Sequence, residues 1–346
     1  MDSQPIGVLL SQIGTPPEPT AKAVRRYLKR FLSDRRVIDT SPLIWQPILR
    51  GIVLRVRPKK SAVLYRYIWT EHGSPLHLHS RMQQKGLQKR LGSGFHVELG
   101  LAYSEPDVEQ AIAAFEQAGI TRIVILPMFP QYSSTTTATV YDSVSFAALG
   151  KRRADGPAAK RFVPALRFID AYYDHPGYIE AMRQHLDKVM AAMPVKPDHV
   201  VLSFHGIPER YADTGDPYPE QCRETAGRLA EAMGWHEKEW TLSFQSRFGR
   251  ERWVGPATME VLHGLPTAGV RNPLVFSPGL VTDCLETLHE LAVEGREVFA
   301  AAGGEADQYS VSPCLNADET WLDFLAELIR ENAQGWSQSA AKSVPL

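Results

Sequence analysis

Short apolar runs, rich in β-branched and aromatic residues, recur along the chain and alternate with stretches of helical periodicity. The runs lie at 6–13, 95–103, 122–129, 199–204, 240–244 and 273–276, and the amphipathic stretches at 105–118, 178–193, 220–233 and 283–302. Strands alternating with helices of this length predict an α/β fold with parallel, doubly wound sheets. The first and fourth runs also end alike. Leu10-Ser11-Gln12-Ile13-Gly14-Thr15-Pro16 matches Leu202-Ser203-Phe204-His205-Gly206-Ile207-Pro208, which reads as a weak internal repeat of two Rossmann-like domains. The division is expected near the loop-like Lys151-Arg152-Arg153-Ala154-Asp155-Gly156-Pro157, giving domains at 1–160 and 161–330 and a tail at 331–346. A length of 346 residues suits two domains of that size.

Composition narrows the class. With 44% apolar, 22% charged and 9% aromatic residues, the chain sits at globular averages, away from disorder, collagen and coiled coil. No stretch approaches the roughly eighteen uncharged apolar residues of a membrane span, and residues 1–5 carry no export-signal pattern. Cys222, Cys284 and Cys314 are too far apart for a CxxC pair or a conventional zinc, iron–sulfur or disulfide framework, so a reducing cytoplasm is expected. The net charge of −1 conceals a split. Residues 1–90 hold 17 Lys/Arg and 5 Asp/Glu, a balance of +12, and the remainder carries −13. Such a basic end suits an acidic partner, whether phosphate, carboxylate, nucleic acid or an anionic membrane, and equally a solvated helix face.

Between the first two strands the first half carries extra material at 23–78. It contains Arg25-Arg26, Arg35-Arg36, an apolar run at 42–56 interrupted by Gln46, Arg50 and Arg55, and then Arg57-Pro58-Lys59-Lys60. Apolar groups interleaved with cations suit an interfacial or ligand-covering segment, since long basic side chains bury their stems and keep their heads wet. An ordinary buried helix competes with that reading.

In open α/β sheets, ligands bind beyond the carboxyl ends of the strands. No GxGxxG or Walker loop occurs there, which argues against a nucleotide. His205 closes the fourth run and is followed by Gly206, where the backbone can turn sharply. A neutral imidazole at that point can bind a borderline metal or accept a proton near neutral pH, or serve only as a structural turn residue. Glu286, Glu290 and Glu294 recur every four residues, so on a helix they share a face. Such a ladder can pass divalent metal inward and protons outward, or be a wet acidic surface.

Several motifs together resemble those of ferrochelatases. They are Gly14-Thr15-Pro16, Phe31-Leu32-Ser33-Asp34-Arg35-Arg36-Val37, Gly73-Ser74-Pro75-Leu76, Pro130-Gln131-Tyr132-Ser133, Ser203-Phe204-His205-Gly206-Ile207-Pro208-Glu209-Arg210, Gly215-Asp216-Pro217-Tyr218-Pro219, Pro278-Gly279 and Asp283-Cys284-Leu285-Glu286-Thr287-Leu288. The resemblance runs in order over about 6–330 and implies two Rossmann-like domains with a porphyrin between them. It implies Fe2+ and porphyrin as substrates, no tightly bound cofactor and no nucleic acid. By the same resemblance His205 is similar to the family's active-site histidine and Glu286 to its acidic partner, with Glu290 and Glu294 continuing a metal path. Ile13, Arg57, Tyr65, Ser74, Tyr132 and Trp253 are similar to porphyrin-lining positions, Arg57 and Tyr65 by spacing alone. The 23–78 segment resembles the family's apolar lip, with peripheral contact at the inner face of the membrane.

Departures from the pattern sharpen the expectation. Ser11-Gln12 replaces the commoner small or apolar residue followed by Asn. Ile13 stands where the coproporphyrin III branch carries a tyrosine, which favours protoporphyrin IX. Cys284 stands where many relatives have histidine. Ser134 occupies a position that is cysteine in cluster-bearing relatives, and no cysteine follows Cys314, so a [2Fe–2S] cluster, which needs four ligands, is not expected.

Overall fold

The computed structural model describes residues 4–150, 160, 162–249 and 251–336, so the loop expected at 151–157 lies outside the described residues, as does the tail beyond 336. β1 (Ile6–Gln12) is buried along its whole length. A parallel strand covered on both faces reads as a continuous apolar run, which is how this one stood out in the sequence. It pairs in parallel with β2 (Phe95–Leu101) and β3 (Arg122–Pro127), and β4 (Ala165–Phe168) follows β3 at the edge. The second sheet repeats this order. β5 (His199–His205) lies between β6 (Trp240–Gln245) and β7 (Pro273–Phe276), with β8 (Ser310–Val311) outside β7, all parallel. β5 is therefore the counterpart of β1, and the Leu-Ser-x-x-Gly-x-Pro match falls at the same place in both sheets.

β4 and β8 carry no clear signal in the sequence. They are edge strands of four and two residues, mostly half-buried, and short edges need little apolar content. β4 also lies beyond residue 160, so the first sheet draws its last strand from the stretch expected to open the second domain.

The last helix, Glu319–Asn332, returns to pack on helix Pro75–Leu91 of the first half and helix Pro176–Ala192 of the second. Gly86 permits the first contact, because a Cβ there would lie 2.5 Å from Leu322 Cδ1. Arg90 ties the same pair of helices through Glu319 and, at 2.6 Å, through Asp323. Fully buried Trp321 and Tyr178 share one core with Leu10 and Leu99 of the first sheet and Leu202 and Phe276 of the second. A continuous hydrophobic core thus binds the two sheets.

The segment after β1 forms helices Ala21–Phe31, Pro42–Ile48 and Leu54–Ile68, the last two joined by a π-wound turn, Leu49–Val53. Val24, Leu28, Leu49 and Tyr103 give this lip a small core of its own. Helix Pro42–Ile48 buries none of its residues, and Leu43 is 88% exposed. Helix Pro75–Leu91 packs on β2, so the end of the 23–78 segment belongs to a helix seated on the first sheet. No described helix is long and apolar enough to cross a membrane.

Candidate active site

β5 ends on His205, and the chain then turns through a narrow gap. The Gly206 N–H donates to Gln245 O at 2.8 Å, and a Cβ on Gly206 would meet that oxygen at 2.9 Å and the Trp253 ring at 3.1 Å. Glycine is needed here for close approach. Beyond β7, the buried Asp283 carboxylate accepts from Thr287 Oγ1 (3.1 Å), Cys314 N (3.1 Å) and Asn316 Nδ2 (2.7 Å). Gln83, from the first half, donates to Thr282 Oγ1 at 3.1 Å and Asn316 O at 2.6 Å. These bonds pin the start of the helix that opens with Glu286. His205 therefore ends β5, and Glu286 opens the helix that follows the neighbouring strand β7, both beyond the carboxyl edge of the second sheet.

The lip covers that edge. Burial lowers the His205 pKa, and the charge of Glu286 opposes the shift. His205 is half-buried. Tyr27 of the lip is 8% exposed and donates to Gly14 O at 3.2 Å. Burial first, then Glu286, raises its hydroxyl pKa. Tyr65 is likewise pushed well up by burial, with Tyr27 and Glu286 adding to it. Arg57 is half-buried, and its pKa is lowered by burial against the raising influence of Tyr65 and Glu286. Its guanidinium lies 4.9 Å from the Phe248 ring of the second half. Cys284 is buried beside Glu286, and desolvation with that charge holds the thiol protonated.

The glutamates lie on a helix, as their spacing suggested. Glu286–Glu294 is π-wound, with the Gly295 N–H donating to Glu290 O, the i→i+5 pattern found mostly at functional sites. Glu290 accepts from Ser246 N at 2.6 Å and from Ser246 Oγ at 2.5 Å. Ser246 presents both donors from a left-handed conformation, φ 66°. Burial pushes the Glu290 carboxyl up to about 7; the Ser246 bonds hold it down, and the charges of Glu286 and Glu294 raise it further. Glu294, half-exposed, ends the column beside His289.

Six of the residues expected at the site, His205, Glu286, Glu290, Glu294, Arg57 and Tyr65, are thus joined in one chain of electrostatic influence. Ile13 is half-buried against the lip core, as is Tyr65. Trp253 packs on Gly206, next to His205. Ser74 is buried, its hydroxyl 2.9 Å from Thr15 Oγ1. Tyr132 is half-buried, its N–H donating to Gln221 Oε1 at 2.7 Å and its ring edge-on to Tyr141. Among the described residues, Ser74 and Tyr132 share no hydrogen bond or aromatic contact with the His205 group. A cavity of about 100 Å³ lined by Gly206, Gln245, Arg247 and Trp253 lies beside this group, far below the roughly 300–1,000 Å³ of ordinary ligand pockets.

The ferrochelatase family model matches residues 5–333. The chain belongs to the ferrochelatase family. It is 47% identical over 338 residues to "Ferrochelatase 1" of Shewanella oneidensis, covering 96% of this chain and 98% of that protein. It is 45% identical over 332 residues to ferrochelatase of Yersinia pestis, covering 96% and 99%. The fold is also that of the solved structure "SirB from Bacillus subtilis with Fe3+", with a TM-score of 0.53 and 17% identity over 76% of this chain and 93% of that one. Ferrochelatases are porphyrin metal chelatases of haem biosynthesis, and iron is a substrate here, not a resident ion.

Sequence reasoning missed Tyr27, which lay unmarked in an amphipathic helix. Ser246 is among the polar residues just past a strand end, but its grip on Glu290 depends on a backbone angle that residue spacing does not reveal.

Proposed function

We propose that the chain inserts Fe2+ into protoporphyrin IX to give protohaem, with chemistry at His205 and Glu286. A free porphyrin is planar and keeps two N–H protons in its centre, so insertion requires a bent ring, a proton acceptor and desolvated iron. In this reading the imidazole of His205 takes up pyrrole protons as iron enters. Glu286 supplies the counter-charge and hands the metal inward from Glu290 and Glu294, and two protons leave for each Fe2+ bound. The observation that supports the reading is that His205, at the end of β5, feels the charge of Glu286, which opens the π-wound helix after the neighbouring strand β7 and heads the acidic column.

Ile13, Arg57, Tyr65, Ser74, Tyr132 and Trp253 are the proposed porphyrin contacts. Ile13 presents only apolar surface at the end of β1, which suits the less carboxylated porphyrin. Comparison of kcat/KM on the two porphyrins tests this. Protoporphyrin IX is expected to lead, and a tenfold preference for coproporphyrin III would overturn the choice.

We assign no resident cofactor. Ser134 donates to Asp216 Oδ2 at 2.8 Å through a hard hydroxyl, and the three cysteines are buried singly as free thiols. That donor set does not suit a [2Fe–2S] cluster. The proposed location is the cytoplasm, peripheral to the inner face of the membrane, with lip side chains Leu43, Ile44 and Ile52 entering the interface and Arg50, Arg55 and Lys59 meeting anionic headgroups. Sedimentation with anionic vesicles should fall about tenfold in Leu43→Ser, the scale of one exposed leucine. Equal sedimentation of both proteins would count against the lip.

A further inference from the structure

We propose that the small cavity beside the end of β5 is a binding site for one small monovalent oxyanion, of the size of formate or bicarbonate, held by the side-chain N–H groups of Gln245 and Trp253.

Both residues line the cavity of about 100 Å³. Among the described residues, Gln245 Nε2 and Trp253 Nε1 are buried without a hydrogen-bond partner, and Gln245 as a whole is only 2% exposed. Buried donors left unpaired are costly, and folded proteins keep few of them. A chain of buried hydroxyls fixes which end of the Gln245 amide is left over. Ser243 Oγ lies 2.9 Å from Thr258 Oγ1, which lies 2.8 Å from Ser203 Oγ, and Ser203 Oγ donates to Gln245 Oε1 at 2.7 Å. With its carbonyl end engaged, the amide keeps both N–H bonds free. The register of β5 and β6 pairs Ser203 with Ser243 and His205 with Gln245. Alternation along a strand sends these four side chains to one face of the sheet, so the cavity stands next to His205 without His205 in its lining.

The chemistry of the lining selects the ligand. Both orphaned side-chain atoms are donors, and a cation would meet only their N–H groups. An anion carries acceptors alone and matches such a set in full, whereas a water must also place its own two hydrogens. Phe244, Val254 and Pro256 make much of the remaining wall apolar, a setting in which a charge-assisted N–H bond is strong. Arg247 and Glu260 also line the cavity, paired at 3.6 Å with side chains 53% and 71% exposed. They mark its solvent side, and their opposite charges leave selection to the two neutral donors. The volume is several times the roughly 30 Å³ of one water, enough for a small planar oxyanion. An anion seated on Nε1 would also hold the Trp253 ring where it packs on Gly206.

The test titrates the full chain with carbon-labelled sodium formate and follows the width of the formate NMR line. Ionic strength is held constant with sodium gluconate, an anion too large for the cavity. The wild type should show saturable broadening that bicarbonate reverses. Gln245→Met removes both amide N–H groups at similar volume, and Trp253→Phe removes the indole N–H. Each should weaken formate binding about tenfold or more, the scale of a hydrogen bond to a charged group. If Gln245→Met fails to fold, Trp253→Phe decides alone, weaker binding supporting the site and unchanged binding refuting it. Absence of saturable binding in the wild type, as for a cavity that holds water alone, would overturn the site. Equal affinity in both folded variants would overturn it too, because formate would then sit elsewhere. These outcomes are read without iron or porphyrin, so failure of the anion site leaves the proposed function standing.

Discussion

Ile13 and His205 occupy the same place in two copies of one architecture. Each follows a Leu-Ser-x and precedes a glycine at the end of the strand that lies between the second and third strands of its sheet. In the first half this strand end is apolar and packs on the lip core; in the second it carries an imidazole that feels the charge of Glu286. The helices after the third strands diverge in the same way. Thr137–Leu149 is an ordinary α-helix without Glu, Lys or Arg, whereas Glu286–Glu294 is π-wound and carries three glutamates. On the proposed reading one half serves as cover and the other as chemistry. A repeated scaffold would then separate holding a flat apolar ligand from handling a cation and protons, two tasks that need opposite dielectric surroundings.

The sharpest way to break this division is at Glu286. Glu286→Gln should bind porphyrin, read by fluorescence quenching, while losing on the order of 10²–10⁴ in turnover, the range of a positioned acid–base group. Loss of binding with turnover per bound porphyrin intact would make Glu286 part of the cover. Next in size is the tie between halves. Trp321→Ala should cost about 3–5 kcal/mol and lower one cooperative melting transition, because its core includes both sheets; two separated transitions would show the halves to be independent.

A smaller effect lies in Glu290. Its folded pKa is raised from 4.5 to about 7, so the folded state holds a proton that the unfolded chain has released between those values. The stability this contributes is fully present below about 4.5 and is lost as pH rises through about 7. Metal-free wild type should therefore lose on the order of 1–3 kcal/mol more than Glu290→Gln between pH 4.5 and 8. Parallel stability curves would contradict the buried column. Smallest is Ser246→Ala, which removes one of two donors to Glu290. It should cost about 1 kcal/mol and move the Glu290 midpoint higher, whereas a downward move would show that Ser246 does not hold the carboxylate.

Much of this asymmetry was legible in the residues. The continuous apolar runs of β1, β3, β5 and β7 betrayed central parallel strands, and the Leu-Ser-x-x-Gly-x-Pro match located equivalent strand ends. β4 and β8 were hidden because a short edge strand buries too little to leave a pattern. The spacing of Glu286, Glu290 and Glu294 indicated a helix but not its winding, since four-residue spacing fits α- and π-winding alike. What remained invisible depended on backbone geometry, namely the left-handed Ser246 that grips Glu290.

The division of labour is tested most directly by anaerobic iron insertion into protoporphyrin IX, followed by visible absorption, with His205→Ala set beside the matched Ile13→Ala. The account predicts a loss on the order of 10²–10⁴ at His205 and less than about tenfold at Ile13, where one apolar contact is trimmed. Unimpaired insertion by purified, folded His205→Ala would contradict it.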